Sequence, residues 1–477
     1  MALDMPEENM RFTKIVLSFL FPIATFAQKN TSSFEAYMQG QSGLYKFNGN
    51  VLVAKNGKTI YKKTFGYADF NLKEKLDNNS IFDIGSIAKE FTAVGILSLI
   101  DKGKLNYSDS LGKFFPQLPY SNVTIRQLLT HTSGMPDGYD LVDKYFDHNK
   151  IAENQDLLKL LALYKPELYF IPGTDLQYSG TGFNLLACII EKISGESYSH
   201  FIDTHIFKLL GMSHTRVANF PRNKNNEPRL AVGFMYNDSA KKYIPANSIY
   251  HNWATYFSGI TGEGMIISTT GDLLKWDRAL KDHKILSAAR QAEMVTVQAE
   301  KKTFPKVQFG YGIRSGKNEN GNYVFHNGWF PGFASMLIRY VHEDVTVIVL
   351  SNNLSHSEFV ADGLATIALN KKIILPYKHE EKNINFTPGK YEGKYLLPIM
   401  HPPYMVDFPV EIILKNSKLY IHSPAIADIE LIPESETKFF YGDGSDQQLI
   451  FTKDSGGNIA KVFYIGYGVK KEIVKIN

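Results

Sequence analysis

The chain has 477 residues, of which 44% are hydrophobic and 21% are charged, and its formal net charge is +4. The length suggests two or three domains at roughly 150 residues each, and the composition argues against both a disordered chain and a polytopic membrane protein. Because the charge is small and Lys and Arg form no long run, nucleic acid is not an expected partner.

The N-terminus has the pattern of a secretory signal peptide. Arg11 and Lys14 precede the apolar stretch Ile15 to Phe26, which is well short of the roughly 20 residues that span a bilayer. We therefore predict that residues 1–27 are a cleaved signal and that the protein is exported, either periplasmic or secreted. Acidic residues ahead of the stretch are atypical and make Met10 a candidate start. An uncleaved N-terminal anchor is the alternative, and it would be the only membrane contact.

The next 348 or so residues, 28–375, are predicted to form one α/β (α+β) domain. An Asn-Gly turn between short apolar runs predicts a hairpin, and apolar positions at helical spacing follow, with Gly103 as a helix stop. Strands, then helices, then strands indicate an antiparallel sheet flanked by helices, with a helical subdomain. The predicted elements are the hairpin Gly49 to Tyr61, the helices Ser86 to Lys102, Thr124 to Leu129, Gly182 to Ser194 and Asp272 to Leu280, and the strands Val324 to His326, Ala334 to Val341 and Val345 to Leu350.

The C-terminal part of the chain has a different pattern. A polar, charged segment around Pro376 predicts a linker over residues 376–386. Beyond it, short alternating segments separated by turn residues predict a small all-β domain, barrel-like or a sandwich, over residues 387–477. Such a domain could cover an active site and restrict its substrates.

The segment Ser86-Ile87-Ala88-Lys89 is the strongest chemical signal in the sequence. Residues three positions apart on a helix share a face, so the Ser86 hydroxyl and the Lys89 amine can share a proton. A serine needs a base to become a nucleophile, and burial can depress the pKa of a lysine enough for it to assist. A helix N-terminus would also favour a developing oxyanion. In isolation, the pattern equally fits an N-cap serine beside a solvated lysine.

The surrounding sequence favours the catalytic interpretation. Phe82 to Ala93 resembles the nucleophile segment of serine β-lactamases, DD-peptidases and related esterases, closest to the class C β-lactamase, DD-peptidase and esterase branch. The resemblance continues in the same order over residues 45–355, through Val123 to Met135, Phe170 to Gly173 and Gly262 to Met265. It implies a DD-peptidase/β-lactamase-like fold.

The resemblance also assigns Tyr178 as the base for acylation and the acid for the leaving group. There the family carries Tyr-x-Asn, whereas this chain has Tyr178-Ser179-Gly180. Glycine cannot supply the hydrogen bonds that the asparagine makes to the lysine and the substrate, which puts efficient β-lactam turnover in question. The hydroxyls of Ser179 and Thr181 are candidates to replace it in part.

A third motif begins at His326 and resembles the His-x-Gly form of some DD-peptidases, D-aminopeptidases and esterases, with Gly328 as its glycine. By this resemblance the strand lies opposite Ser86, and the backbone N–H groups of Ser86 and Trp329 form the oxyanion hole. His326 would face either the substrate carboxylate or the cluster of Ser86 and Tyr178.

No metal or cofactor is predicted. The other histidines that could serve as ligands lack ligand spacing, and the glycine-rich turns lack the residue order of a phosphate loop. These histidines are His131, His148, His205, His214 and His251.

The sequence thus predicts a serine hydrolase that acts through an acyl-enzyme on an amide, a D-amino-acid peptide or an ester bond. The expected substrate is a small molecule or a peptide, cell-wall peptide included. Because the same fold and motifs serve several chemistries, analogy of fold does not choose among DD-peptidase, esterase and β-lactamase-like activity. The His-x-Gly form favours a peptidase or an esterase. A non-catalytic protein that binds a cell-wall fragment or penicillin is the alternative, motivated by Gly180.

Overall fold

The computed structural model describes residues 32–220, 225–237, 239–250, 253–301, 307–384, 386–401, 404–424 and 426–476. The predicted signal peptide and His251 lie outside these residues. Within them, no helix is both long enough and apolar enough to cross a membrane.

The first domain combines short and long antiparallel strands with helices. Its strands are β1 (Gly49–Lys55), β2 (Lys58–Phe65), β3 (Tyr67–Asp69), β4 (Glu74–Lys75), β5 (Phe82–Asp83), β6 (Arg216–Val217), β7 (Phe234–Asn237), β8 (Lys242–Pro245), β9 (Ile266–Ser268), β10 (Ala299–Lys301), β11 (Val307–Phe309), β12 (Arg314–Asn318), β13 (Gly321–Phe330), β14 (Phe333–Tyr340) and β15 (Val345–Ser351). In the main sheet the described strands follow the order β10-β11-β12-β13-β14-β15-β1-β2.

The helices of this domain lie on both sides of the main sheet and in a subdomain beside it. They are α1 (residues 32–44), α2 (Ala88–Asp101), α3 (Leu111–Phe114), α4 (Ile125–Leu129), α5 (Tyr139–Tyr145), α6 (Asn154–Tyr164), α7 (Gly180–Ser194), α8 (Tyr198–Ile202), α9 (Lys208–Leu210), α10 (Ala246–Ile249), α11 (Trp253–Tyr256), α12 (Thr270–Lys281), α13 (Ala288–Val295) and α14 (Ser357–Ala368). A 3-10 turn (Gly85–Ile87) leads into α2, and a π-helical turn (Asp203–Phe207) joins α8 to α9.

The two sheet faces are buried by different helices. Side chains alternate along a strand, so Leu52 and Ile348 pack with α2 and the helical subdomain, whereas Val51 and Val347 pack with α1 and α14. Strands β1 and β15 are therefore apolar on both faces. This sandwiching fixes the sheet beneath α2, the helix that carries the predicted lysine.

The C-terminal domain is a closed antiparallel barrel. Its strands are β16 (Gly393–His401), β17 (Tyr404–Lys415), β18 (Lys418–Ser423), β19 (Ile426–Ser435), β20 (Lys438–Tyr441), β21 (Gln448–Lys453), β22 (Ile459–Gly466) and β23 (Val469–Ile476), and β23 pairs with β16 to close it. Large aromatic side chains such as Tyr395, Phe439 and Tyr464 fill the interior. The predicted fold, an antiparallel sheet flanked by helices and followed by an all-β domain, is confirmed.

The barrel contacts the first domain at one side of the sheet. The ring of Tyr467 lies 4.0 Å from that of Phe359 on α14, and Tyr45 donates a hydrogen bond to Asp446. The predicted linker carries neither helix nor strand in its described residues but is tied to the barrel, since the backbone N–H of Lys382 donates to the carbonyl of Pro433. The domain boundaries themselves stay predictions.

Candidate active site

Ser86 lies in the 3-10 turn at the start of α2, as the sequence predicts for a residue at a helix N-terminus. The turn is held by Asp83, whose carboxylate accepts a 2.8 Å hydrogen bond from the backbone N–H of Gly85. Gly85 has a φ of +50°, and a Cβ there would lie 2.6 Å from the backbone N of Trp329. Glycine is therefore required for β13 to pass this close to the nucleophile turn.

Lys89 is fully buried one turn later, and its ammonium makes three hydrogen bonds. Nζ donates to Ser86 Oγ at 3.0 Å, to the carbonyl of Glu263 at 2.7 Å and to the carboxylate Oε2 of Glu263 at 2.7 Å. Burial acts to lower the pKa of Lys89, but the charge of Glu263 and the neighbouring Tyr178 outweigh it, so the pKa is raised above its ordinary value. The depressed pKa expected from burial alone is therefore wrong.

Glu263 contacts Lys89 in the site, although the sequence alone does not single it out. It lies in the loop before β9, where Gly262 has a φ of +102°. Its side chain is 18% exposed, and its second carboxylate oxygen accepts a hydrogen bond from Tyr139. The signal in the sequence is a carboxylate between two glycines, within a stretch that resembles the family. This pattern indicates a tight loop, but it does not show which residue the carboxylate contacts.

Gly180 is the first residue of α7, and the hydroxyls next to it are committed to structure. Ser179 Oγ caps the helix by accepting from the N–H of Gly182 at 3.1 Å, and Thr181 Oγ1 accepts from the N–H of Gly138 at 2.7 Å. Each hydroxyl thus has one acceptor position occupied by a backbone N–H, and its O–H can still donate. Whether either hydroxyl replaces the family asparagine in part stays a prediction.

Tyr178 lies at the mouth of the site, 37% exposed. The Nζ of Lys89 is 4.9 Å from its ring centroid, and the ring of His131 packs 4.5 Å away. His131 accepts the backbone N–H of Ser179 at Nδ1, and burial, reinforced by the Lys89 and Arg314 cations, holds its pKa well below the usual value. His131 is therefore a neutral ring that supports Tyr178.

Strand β13 forms the opposite wall. A Cβ on Gly328 would lie 1.9 Å from the carbonyl oxygen of Ile84, so this glycine too permits a close backbone approach. Trp329 follows, with its side chain 52% exposed at the entrance. The strand thus runs beside the Ser86 turn, while the oxyanion-hole role of the Ser86 and Trp329 N–H groups stays a prediction.

His326 is buried in the same wall rather than presented to solvent. Its ring lies 6.4 Å from that of Tyr178, and Nδ1 is 2.7 Å from the carbonyl oxygen of Asn327. Among the described residues, Nε2 has no hydrogen-bond partner. Burial, with the Arg314 and Lys89 cations, lowers the pKa of His326 well below its usual value. A neutral imidazole in the Tyr178 cluster fits this position better than a cation that pairs with a carboxylate.

Arg314 is the second residue that the sequence does not single out. Its guanidinium carbon lies 5.2 Å from the ring centroid of Tyr178 and 5.0 Å from that of Phe309. It places a second cation near the ring of Tyr178. Nothing in the local sequence of β12 distinguishes it from a surface arginine.

Among the described residues, no group of three or more His, Cys, Asp or Glu side chains is arranged to hold a metal ion. His148 and His205 instead make separate local contacts, with the carbonyl of Asp143 and with Glu196.

Comparisons with known proteins show the family of the chain. A family model described as Beta-lactamase matches residues 32–370, so the chain belongs to the beta-lactamase family, as its motifs predict. Penicillin-binding protein 4* of Bacillus subtilis (strain 168) is 33% identical over 441 residues, which cover 86% of this chain and 96% of that protein.

Solved structures share the fold. An octameric penicillin-binding protein homologue from Pyrococcus abyssi aligns with a TM-score of 0.64 at 24% identity, covering 93% of this chain and all of that one. D-amino acid amidase from Ochrobactrum anthropi SV3 aligns with a TM-score of 0.56 at 25% identity, covering 70% of this chain and 98% of that one.

Proposed function

We propose that the protein is a serine hydrolase that forms an acyl-enzyme at Ser86 and acts on an amide, a D-amino-acid peptide or an ester bond. One observation carries this proposal: the buried Lys89 ammonium lies 3.0 Å from Ser86 Oγ and 4.9 Å from the ring of Tyr178. A nucleophile, a buried cation and a phenol thus share one site, as acyl transfer requires.

The proposed reaction has two steps. The first step begins with Tyr178 as the phenolate beside the Lys89 ammonium. Ser86 Oγ attacks the substrate carbonyl carbon, and its proton passes to the phenolate oxygen of Tyr178. The carbonyl π electrons move to the substrate oxygen, which the N–H groups of Ser86 and Trp329 stabilise. The tetrahedral intermediate collapses, and the leaving amine or alcohol departs with the proton from Tyr178. Water then attacks the acyl-enzyme by the same route, releasing the acid and restoring Ser86.

The substrate class rests on the relatives and on the site entrance. The Bacillus subtilis relative is named a penicillin-binding protein and the Ochrobactrum anthropi protein a D-amino acid amidase, which supports a small-molecule or peptide substrate with an amide bond. The exposed aromatic rings of Tyr178 and Trp329 at the mouth favour a substrate with an apolar group near the scissile bond.

The test is mass spectrometry of the protein after incubation with a fluorophosphonate and, separately, with penicillin. We expect an adduct on Ser86 with each reagent, absent from Ser86→Ala. A penicillin adduct that decays indicates turnover, and one that persists indicates slow deacylation. If neither reagent labels Ser86, the non-catalytic binding protein motivated by Gly180 becomes the better interpretation.

We also propose that the protein is exported, by cleavage after residue 27. The support is the pattern of Arg11, Lys14 and the apolar stretch that follows. N-terminal sequencing of the protein from cell fractions tests it. A mature chain that begins at Gln28 in the periplasm or medium supports export, and an intact N-terminus in the cytoplasmic fraction contradicts it.

A further inference from the structure

The space beside Gly180 is already filled. A Cβ built on this glycine would lie 3.5 Å from Cγ and Oε2 of Glu263 and 3.5 Å from Cε2 of Tyr139. These are ordinary contact distances, so a single methyl group fits. A longer side chain that extended from Gly180 toward Lys89 would meet the Glu263 carboxylate.

The loop that carries Glu263 is fixed from several sides. The Thr92 hydroxyl on α2 donates to the carbonyl of Gly262 at 2.5 Å, and the Asn184 amide on α7 donates to the carbonyl of Thr261 at 2.8 Å. The loop is thereby bound to the same two helices that present Lys89 and Gly180. The position of the Glu263 carboxylate is consequently set by the scaffold.

We propose that Glu263 is a positioning residue that replaces, from a different loop, the side chain lacking at Gly180: its carboxylate holds Lys89 as an ammonium against Ser86, so that Tyr178 receives the Ser86 proton. This inference rests on the proposed function, because it assigns a task within the same reaction. It also explains how a site with glycine at this position can be complete.

The hydrogen bonds around Lys89 support the charged form. An ammonium donates three hydrogen bonds, and Nζ has three acceptors within 3.0 Å, of which Glu263 supplies two. Without the carboxylate, burial is the dominant influence and lowers the pKa of Lys89. The ammonium would then be lost at a lower pH than in the wild type.

The first test is the rate of Ser86 labelling by a fluorophosphonate as a function of pH. In Glu263→Gln we expect a loss of about tenfold or more near neutral pH and an alkaline decline displaced by about one pH unit or more toward neutrality. Glu263→Asp, which keeps the charge, should remain nearer the wild-type profile. Glu196 lies just beyond the C-terminal end of α7, whereas Gly180 begins the helix. Glu196→Gln is therefore the matched control for removal of a carboxylate.

The second test is a double-mutant cycle. Gly180→Asn alone should slow labelling, because the amide competes with Glu263 for one space. In the Glu263→Ala background the same substitution should instead raise the labelling rate, because the space is empty. Effects of opposite sign establish that the two positions share one task.

The outcomes separate this inference from the proposed function. If the wild type does not label at Ser86, the proposed function fails. If the wild type labels but Glu263→Gln keeps its rate and pH profile, or if Gly180→Asn has the same effect in both backgrounds, this inference alone is overturned. Thermal unfolding of each variant identifies loss of folding. If Glu263→Ala does not fold, the labelling rate and pH profile of Glu263→Asp are still measured.

Discussion

At the scale of single residues, Tyr178 holds the most exposed position of the reacting set. Lys89 and Arg314 both place cationic groups within about 5.2 Å of its ring centroid, and His131 supports the ring from behind. Two cationic groups therefore border Tyr178, the residue to which the proposed reaction assigns the Ser86 proton.

We therefore expect Tyr178→Phe to slow labelling of Ser86 by about 10²- to 10⁴-fold, since the ring is kept and only the proton carrier is removed. Stopped-flow or time-resolved mass spectrometry with a fluorophosphonate measures it. Tyr236→Phe, at a tyrosine that is 49% exposed on β7, is the control for loss of a hydroxyl. A labelling rate in Tyr178→Phe equal to that of the control would exclude Tyr178 as the base.

Glu90 gives a prediction about stability and pH. It is buried on α2. Burial raises the pKa of its carboxyl from its ordinary value of 4.5 to about 8, although a 2.7 Å hydrogen bond from Trp276 acts to lower it. The folded protein therefore keeps a proton on Glu90 that the unfolded chain releases. Its stabilising contribution is present below pH 4.5 and is lost as pH rises to about 8.

Glu90→Gln, a permanent mimic of the neutral acid, should remove this part of the pH dependence. We expect the wild type to lose stability relative to the variant between pH 5 and 8, by at most about 1.4 kcal/mol per pH unit. Chemical denaturation at a series of pH values measures the difference. Parallel curves for the two proteins would show that Glu90 is not protonated in the folded state.

The residues of the site differ in how far the sequence predicts them. Ser86, Lys89 and Tyr178 stand in motifs with fixed spacing, and the structure brings them together. Glu263 and Arg314 reach the site from a distant loop and from β12, an interior strand of the main sheet, so only the three-dimensional fold shows what they contact. The protonation of Lys89 follows from one such contact and is therefore invisible in the sequence.

At the scale of secondary structure, the important feature is the close approach of β13 to the Ser86 turn. Gly85 has a φ of +50° and a Cβ there would lie 2.6 Å from the backbone N of Trp329, whereas Gly103 has a φ of +67° and open space around it. A substitution would strain the backbone at either glycine. Only at Gly85 would the added Cβ also clash with a neighbouring strand.

The comparison isolates the effect of the strand position. Gly103→Ala should cost about 1 to 2 kcal/mol in the free energy of unfolding and leave Ser86 labelling unchanged. Gly85→Ala should cost more and also reduce the labelling rate by about tenfold or more, because β13 must move away from the Ser86 turn and displace the predicted oxyanion hole. Equal labelling rates in the two variants would contradict a functional need for this approach.

Helix and strand positions were predictable where local chemistry is strong. The Asn56-Gly57 turn has positive φ at both residues, as a two-residue hairpin requires, and Gly103 ends α2 as predicted. Strands such as β16 and β23 were not singled out, because they close the barrel through pairing between residues about 80 positions apart. Their pairing depends on distant partners more than on local sequence.

At the scale of the whole molecule, the barrel is docked on α14 and the segment after α1. Tyr467 packs on Phe359, and Tyr45 bonds to Asp446. Helix α14 covers the sheet face of Val51 and Val347, whereas α2, the helix that carries Lys89, covers the opposite face. The barrel contacts named here therefore support the scaffold and do not involve Ser86.

A substitution at the docking contact should consequently separate stability from labelling. Tyr467→Ala removes the ring that packs against Phe359 and should cost on the order of 2 kcal/mol of docking energy. Trypsin should then cleave more rapidly at Lys378 and Lys382 in the linker. Ser86 should still label at the wild-type rate, because the turn, Lys89 and Glu263 belong to the first domain.

Tyr420→Ala, on β18 between β17 and β19, is the barrel control and should leave linker cleavage unchanged. Faster cleavage together with lost labelling would mean instead that the docked barrel helps to build the active site.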